Sequence, residues 1–146
     1  GFMVGSPWQT MANLLEDLAF IRELQPQMIG IGPFIPHHAT PFKNYPAGTL
    51  EQTLTLLSVL RLMFPKVLLP AALGTIVPNG RELGILAGAN VVMPNLSPAD
   101  VRQNYLLYDN KLCSGAEAAE AKNDLAARLH SIGYEIAEGR GDYKES

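Results

Sequence analysis

Four short apolar runs, each bounded by Gly or Pro and each followed by a helical pattern, predict an α/β fold. The expected architecture is the second half of a (β/α)₈ TIM-type barrel: about four parallel strands with helices, plus a C-terminal helix. The runs are Phe2 to Gly5, Met28 to Phe34, Val67 to Leu73 and Asn90 to Met93. Continuous apolar segments of this length suit strands buried on both faces, the condition of a parallel sheet. Periodicity alone leaves buried helix open, and the alternation with helices decides for α/β. A closed barrel of this type needs roughly 250 residues. A chain of 146 residues that opens on Gly1 and a strand is therefore expected to supply about four of the eight units and to be a piece of a longer protein. Phe2 to Gly5 and Asn90 to Met93 would then be uncovered edges.

The helices follow from their end signals. Thr10 is placed to cap a helix to about Leu24, with Leu14, Leu18 and Ile21 on one stripe and Pro26 as its stop. Thr49 and Gln52 form a capping-box pattern opening a second helix through about Met63, in which Leu54, Leu57 and Arg61 recur at helical spacing before Pro65. A shorter helix is expected over Arg81 to Ala87, with Gly88 as a left-handed cap. Ser97-Pro98-Ala99-Asp100 reads as cap, first-turn proline and acidic first turn of a helix carrying Val101, Tyr105 and Tyr108 on one face. Ser114 with Glu117 opens a last helix, its stripe Leu125, Leu129 and Ile132, closed by Gly133. The tail from Glu138 to Ser146 is polar, Gly-rich and expected to fray. The expected division is 1–112 for the half barrel and 113–146 for the C-terminal helix and tail packed on it.

Composition narrows the function classes. At 47% hydrophobic, 17% charged and net charge −3, the chain reads as globular rather than disordered. Its eleven Lys and Arg are scattered, which argues against the clustered basic face that nucleic acid requires. The apolar stretches fall far short of the ~20 residues of a bilayer-crossing helix, and no leader pattern opens the chain. A cytoplasmic setting is expected, with neither nucleic acid nor membrane as a partner. Cys113, the one cysteine, can form no intrachain disulfide and cannot by itself hold a metal.

In such barrels, chemistry sits at the carboxyl ends of the strands. The segments there are Ser6 to Thr10, Pro33 to Pro41, Gly74 to Arg81 and Pro94 to Pro98. Prolines stiffen them, and glycines let backbone approach a ligand. Rigid, moderately polar walls describe a binding cavity better than acid–base machinery. His37-His38 offers a metal ligand or a base, but adjacent side chains on an extended segment point to opposite sides, and no third ligand lies at the right spacing. Ser6 and Ser97 lack a paired base, and Gly30-Ile31-Gly32 lacks the context of a phosphate loop. Met3 within a strand, Met93 at a strand end, and Tyr105 and Tyr108 on one helix face would together line a polarizable, amphipathic cavity with two hydroxyls. Ordinary core packing of the methionines and surface snorkelling of the tyrosines stay open on spacing alone.

Four blocks carry a resemblance: Gly1-Phe2-Met3-Val4-Gly5-Ser6-Pro7-Trp8-Gln9-Thr10, Gly30-Ile31-Gly32-Pro33-Phe34-Ile35-Pro36-His37, Gly74-Thr75-Ile76-Val77-Pro78-Asn79-Gly80-Arg81-Glu82 and Gly88-Ala89-Asn90-Val91-Val92-Met93-Pro94-Asn95. In order and spacing they resemble the carboxyl half of the HydE family, the radical S-adenosylmethionine (radical SAM) maturases of FeFe hydrogenase. The similarity runs on through Arg102-Gln103 and Tyr105 to Tyr108 into Lys111-Leu112-Cys113. Biotin synthase and methylornithine synthase share the architecture but match these blocks less well.

The resemblance implies a complete barrel, with a CxxxCxxC loop near the amino end of family members holding a 4Fe-4S cluster. It implies reductive cleavage of S-adenosylmethionine to a 5′-deoxyadenosyl radical, which attacks an organometallic iron, carbonyl and cyanide cysteine complex supplied by the partner maturase HydG. The product would feed the di-iron site of FeFe hydrogenase. None of those cluster cysteines is in this chain, so it is expected to be inactive alone and to hold no metal. By the same resemblance, Met3 and Met93 carry over as cavity methionines and Tyr105 and Tyr108 as substrate-facing tyrosines. Thr75, His37 and Asn95 match without an assigned role. A dry lumen with few polar groups suits radical chemistry, because excluding water suppresses side reactions.

Three departures bear on this reading. Pro70-Ala71-Ala72-Leu73-Gly74 is two residues shorter than the family pattern and lacks its Thr-Thr pair, which puts substrate anchoring there in doubt. Ser6 and Trp8 stand where the family prefers Leu and Gly, which would narrow the mouth. Cys113 matches the first cysteine of an optional second cluster, but Ala121 and Asp124 occupy the other two places, so no second cluster is expected. The alternatives are a biotin synthase-like or methylornithine synthase-like radical enzyme, and a non-catalytic truncated binding fragment.

Overall fold

The computed structural model describes residues 1–74, 76–93, 98, 101 and 118–144. Its elements run in the order β1 (Phe2–Val4), α1 (Met11–Leu24), β2 (Ile31–Pro33), α2 (Leu50–Met63), α3 (Gly80–Leu86) and α4 (Ala118–Ser131). Of the helix expected from Ser97 to Tyr108 only Pro98 and Val101 are described, and the Ser114 and Glu117 start of the last helix lies outside the described residues.

Local chemistry sets the helix ends. In α1 the Thr10 hydroxyl accepts from the Asn13 N–H, and the Thr10 N–H donates to Asn13 Oδ1 at 2.9 Å. This is a reciprocal capping box with Asn in the place usually held by Glu or Gln. Gln25 turns left-handed (φ 48°) just before Pro26, and the helix stops. In α2 only the Thr49 half of the expected box forms among the described contacts, accepting from the Gln52 N–H at 3.2 Å. Helix α3 starts one residue earlier than expected and is closed by Gly88 at φ 112°. Gly133 (φ 84°) ends α4, its N–H donating to His130 O.

The strands differ from expectation. β1 and β2 pair in parallel, with Phe2 opposite Ile31, Met3 opposite Gly32 and Val4 opposite Pro33. The runs at Val67 to Leu73 and Asn90 to Met93 join them only through isolated parallel bridges, Met28 with Leu68 and Pro70 with Val91. The described residues thus form an α/β arrangement with a two-stranded parallel sheet, and they do not close a barrel. Proline is the physical reason that the ladder is not extended from β2 to the third run. The Leu68 N–H donates to Gln27 O, so the next donor on that side would be residue 70, and Pro70 has none. On the other side, the Leu69 N–H is taken by the side-chain Oδ1 of Asn90 at 2.8 Å rather than by a backbone carbonyl.

Burial shows which way the sheet faces. Val4, Ile29, Ile31 and Leu69 are at most 2% exposed, and Ile29, Ile31 and Leu69 share one core with Leu73 and with Leu18, Ile21, Leu57, Leu60 and Ile85 of the helices. Leu125 and Leu129 of α4 join that same core. The alternate residues Met3 and Met28 are 57% and 50% exposed, so the opposite face of the sheet is open.

Arg61, placed on the apolar stripe of α2 by spacing, is not a core residue in the usual sense. Its guanidinium donates from Nε to Gly88 O at 2.7 Å and from Nη1 to Pro65 O at 2.8 Å and Phe64 O at 3.2 Å. One side chain therefore satisfies carbonyls after both α2 and α3. Burial lowers its pKa from the ordinary arginine value.

Candidate functional site

The carboxyl end of β1 is held by a chain of backbone contacts. Val4 O accepts from Phe34 N–H and Phe34 O from Gly48 N–H, both at 2.8 Å. A side chain at Gly48 is impossible without rearrangement, since its Cβ would lie 1.9 Å from Val4 O. The loop after β2 is thereby stitched to the end of β1.

Gln9 completes this end. Its Oε1 accepts from the Gly5 N–H at 2.6 Å, and its Nε2 donates to Met3 O at 2.9 Å. Phe2 and Val4 turn their backbone groups toward β2, so those of Met3 and Gly5 face the outer edge. The Gln9 amide stands where a neighbouring strand would pair. The edge at Phe2 to Gly5, expected to be bare, is capped at its carboxyl end from within the chain.

The turn that brings Gln9 back closes with its N–H on Ser6 O at 3.0 Å, and Trp8 sits in it at φ 64°. Proline second and positive φ third is the type II pattern, a place for Gly that Trp occupies here. The indole is 74% exposed and packs edge to face on Tyr45 and Phe42, at centroid distances of 5.2 Å and 6.1 Å. Phe42 in turn meets Phe34 at 6.3 Å, so an aromatic row lies along the rim.

His37 and His38 do not point to opposite sides, as an extended segment would require. The Thr40 N–H donates to His37 O, making a turn, and the two rings stack with centroids 4.3 Å apart. His37 Nδ1 accepts from the Ala39 N–H at 3.1 Å. Among the described residues no group of three His, Cys, Asp or Glu could hold a metal ion. With one cysteine in 146 residues, the chain's own side chains do not fit a 4Fe-4S cluster.

At the end of the third run, Leu73 O accepts from Ile76 and Val77 N–H, and Gly80 packs so closely that a Cβ there would lie 2.0 Å from Leu73 O. Gly74 leaves room for the Arg81 side chain, which donates from Nη2 to Met93 O at 3.4 Å. Behind this loop, Arg128 of α4 holds Glu82 with a two-pronged hydrogen bond and also donates to Pro78 O. Burial opposes ionisation of Glu82, but the bonds from Arg128 and its own N–H, with the charges of Arg128 and Arg81, outweigh it and hold the carboxyl below its ordinary value. The bond to Glu82 raises the Arg128 pKa.

Of the residues singled out in the sequence, Met3, Met93 and His37 are described. Met3 and Met93 are 57% and 60% exposed, and each is anchored through its carbonyl, Met3 to Gln9 and Met93 to Arg81. Thr75, Asn95, Tyr105, Tyr108 and Cys113 lie outside the described residues. Spacing gave no role to Gln9 or Arg81, and it read Arg61 as part of an apolar stripe. The faint signals were a polar residue following Pro7-Trp8, and arginines facing Gly74 and Gly88. A cavity of about 250 Å³ lies at the opposite, amino end of the strands, lined by Gln25, Met63, Lys66 and Tyr143 among others. It is remote from the strand ends where barrel chemistry sits. Tyr143, in the tail expected to fray, lines this cavity.

No protein-family model matches the chain. Over 115 residues, 77% of this chain and 33% of the relative, it is 48% identical to FeFe hydrogenase maturase subunit HydE of Thermotoga maritima. It is 37% identical over 87 residues, 60% of this chain and 25% of the relative, to 3-methylornithine synthase of Methanosarcina barkeri. The crystal structure of methylornithine synthase superposes with a TM-score of 0.69 at 28% identity, covering 88% of this chain and 37% of that one. The chain thus spans a quarter to a third of the length of the curated relatives it matches. No helix among the described residues is long and apolar enough to cross a membrane. With HydE matched in sequence and methylornithine synthase in both sequence and fold, this chain belongs to the HydE-like radical SAM family that its four blocks resemble.

Proposed function

We propose that this chain is the C-terminal, substrate-cavity portion of a HydE-like radical SAM enzyme of FeFe hydrogenase maturation. The observation that carries the reading is the 48% identity to HydE over 77% of the chain. The matched blocks lie at the strand ends, and the rim there is built rigidly from Gln9, Gly48, Gly80 and Arg81. In this reading residues 1–112 complete a (β/α)₈ barrel with the rest of a longer polypeptide, and 113–146 pack on it. S-adenosylmethionine and a 4Fe-4S cluster are the cofactors of the whole protein, and the cluster is ligated by residues outside this chain.

Met3 and Met93 line the cavity, with Tyr105 and Tyr108 orienting the substrate. Thr75, His37 and Asn95 are further binding residues, on their match to the family blocks and without an assigned role. The open sheet face, on which Met3 is 57% exposed, suits a surface meant to be covered by the remaining strands. The substrate is an organometallic Fe/CO/CN-cysteine complex received from HydG, in the cytoplasm.

The test is in vitro maturation of apo-hydrogenase with purified HydG and the full-length protein that carries this segment. Hydrogen evolution that depends on this protein is the expected result. No activation, with formation of a methylated ornithine instead, would favour the second reading. That reading is methylornithine synthase-like chemistry, which draws its support from the TM-score of 0.69.

A further inference from the structure

We propose that Arg81 is an anion-recognition residue at the rim of the cavity, taking the carboxylate of an amino-acid-sized substrate. This rests on the cavity reading above and adds the chemical class of the group recognised. Four observations carry it.

The first is the position of the side chain. A Cβ built on Gly74 would meet Arg81 Cγ at 2.5 Å, Nε at 2.8 Å and Cζ at 2.9 Å, so the arginine lies directly over the glycine at the end of the third run. Only the absence of a side chain at residue 74 leaves that path open. The second is the anchoring. Nη2 reaches Met93 O at 3.4 Å, which ties the guanidinium to the end of the fourth run and to a residue expected in the cavity. That bond is long, and it is the one hydrogen bond Arg81 makes among the described contacts. A guanidinium carries five donors in a fixed fork suited to a carboxylate.

The third is the charge environment. The adjacent Glu82 accepts its side-chain hydrogen bonds from Arg128, and Arg81 acts on it through charge alone, so among the described residues no carboxylate takes the donors of Arg81. The fourth is the place in the fold. In a completed barrel the third and fourth runs would be strands seven and eight, whose loops frequently form the anion site of such barrels. A carboxylate fits better than a phosphate. Arg128, the neighbouring cation, is committed to Glu82 and Pro78 O, which among the described residues leaves one guanidinium for the ligand, matched to a singly charged group.

The test uses the full-length protein, titrated calorimetrically with ornithine, ornithinamide and inorganic phosphate. Ornithine is chosen because a relative is named for making a methylated ornithine. The expected result is at least tenfold tighter binding of ornithine than of ornithinamide, a preference abolished in Arg81→Gln and partly restored in Arg81→Lys. Wild-type protein that binds the two equally, or neither, overturns the proposal. So does Arg81→Gln that keeps the preference, or that weakens both ligands equally with a lowered Tm, which would make the arginine a structural tie. Phosphate binding more tightly than ornithine overturns the choice of carboxylate. Cleavage of S-adenosylmethionine is scored separately. If it is absent while carboxylate binding depends on Arg81, the radical reading falls and the site stands.

Discussion

Replacing Arg128 with Ala tests how α4 is fastened to the rim. The pair it forms with Glu82 is intermediate in exposure, with side chains 33% and 12% accessible. Fully exposed pairs contribute about 0.2–1 kcal/mol, and breaking a buried pair costs about 3–5 kcal/mol because a charge is left without its partner. Glu82 is the more enclosed member, so removing Arg128 strands a carboxylate close to the buried limit, while the exposure of Arg128 discounts the gain. Arg128→Ala should therefore cost about 2 kcal/mol, and Glu82→Gln, which keeps an acceptor for Arg128, about 1 kcal/mol.

The pH dependence has a definite sign. Glu82 has a folded pKa below its unfolded one, so its contribution is fully present above the unfolded carboxylate value, near ~4.3, and is lost as pH falls through the lower folded value. The assay is urea unfolding of wild type, both single variants and the double variant at pH 7 and at steps below pH 5. A coupling energy of about 1 kcal/mol or more at pH 7 that shrinks on acidification is expected. Arg128→Ala within about 0.5 kcal/mol of wild type, or a coupling that does not change with pH, would refute the reasoning.

Three further outcomes follow from the same geometry. Gly48→Ala drives a Cβ to 1.9 Å from Val4 O, so the loop after β2 must separate from β1; a loss of about 3 kcal/mol or more in urea unfolding is expected. Arg61→Met keeps the apolar stem but abandons carbonyls of Gly88, Pro65 and Phe64, and should lower stability by about 2–3 kcal/mol in the same assay. Trp8→Gly relieves about 1 kcal/mol of backbone strain but loses two edge-to-face pairs of about 0.5–1.5 kcal/mol each. Its stability should fall by no more than about 2 kcal/mol, while solvent perturbation of Tyr45 absorbance increases.

Much of the fold was legible because its signals are local. Thr10, Thr49, Gly88 and Gly133 act on backbone groups within a few residues of themselves, and each marks a helix end where spacing placed it. The apolar runs were equally legible as parallel segments, since alternation with helices leaves few other packings, but burial on both faces was not met: Met3, Met28 and Met93 are exposed. What those runs build was not legible. Pro70 breaks a ladder only once its neighbour is known, and Asn90 competes for the Leu69 N–H only when folding brings it within 2.8 Å.

The candidate site divides in the same way. The sequence by itself determined the family and the strand ends that carry the blocks, because those are matters of residue order. Tertiary structure alone decided that Gln9 caps the β1 edge, that Trp8 occupies a left-handed turn against Tyr45, and that Arg81 crosses Gly74 to reach Met93. Each of these depends on a partner whose distance is set by chain packing, and a side chain's role at a rim is defined by what stands across from it.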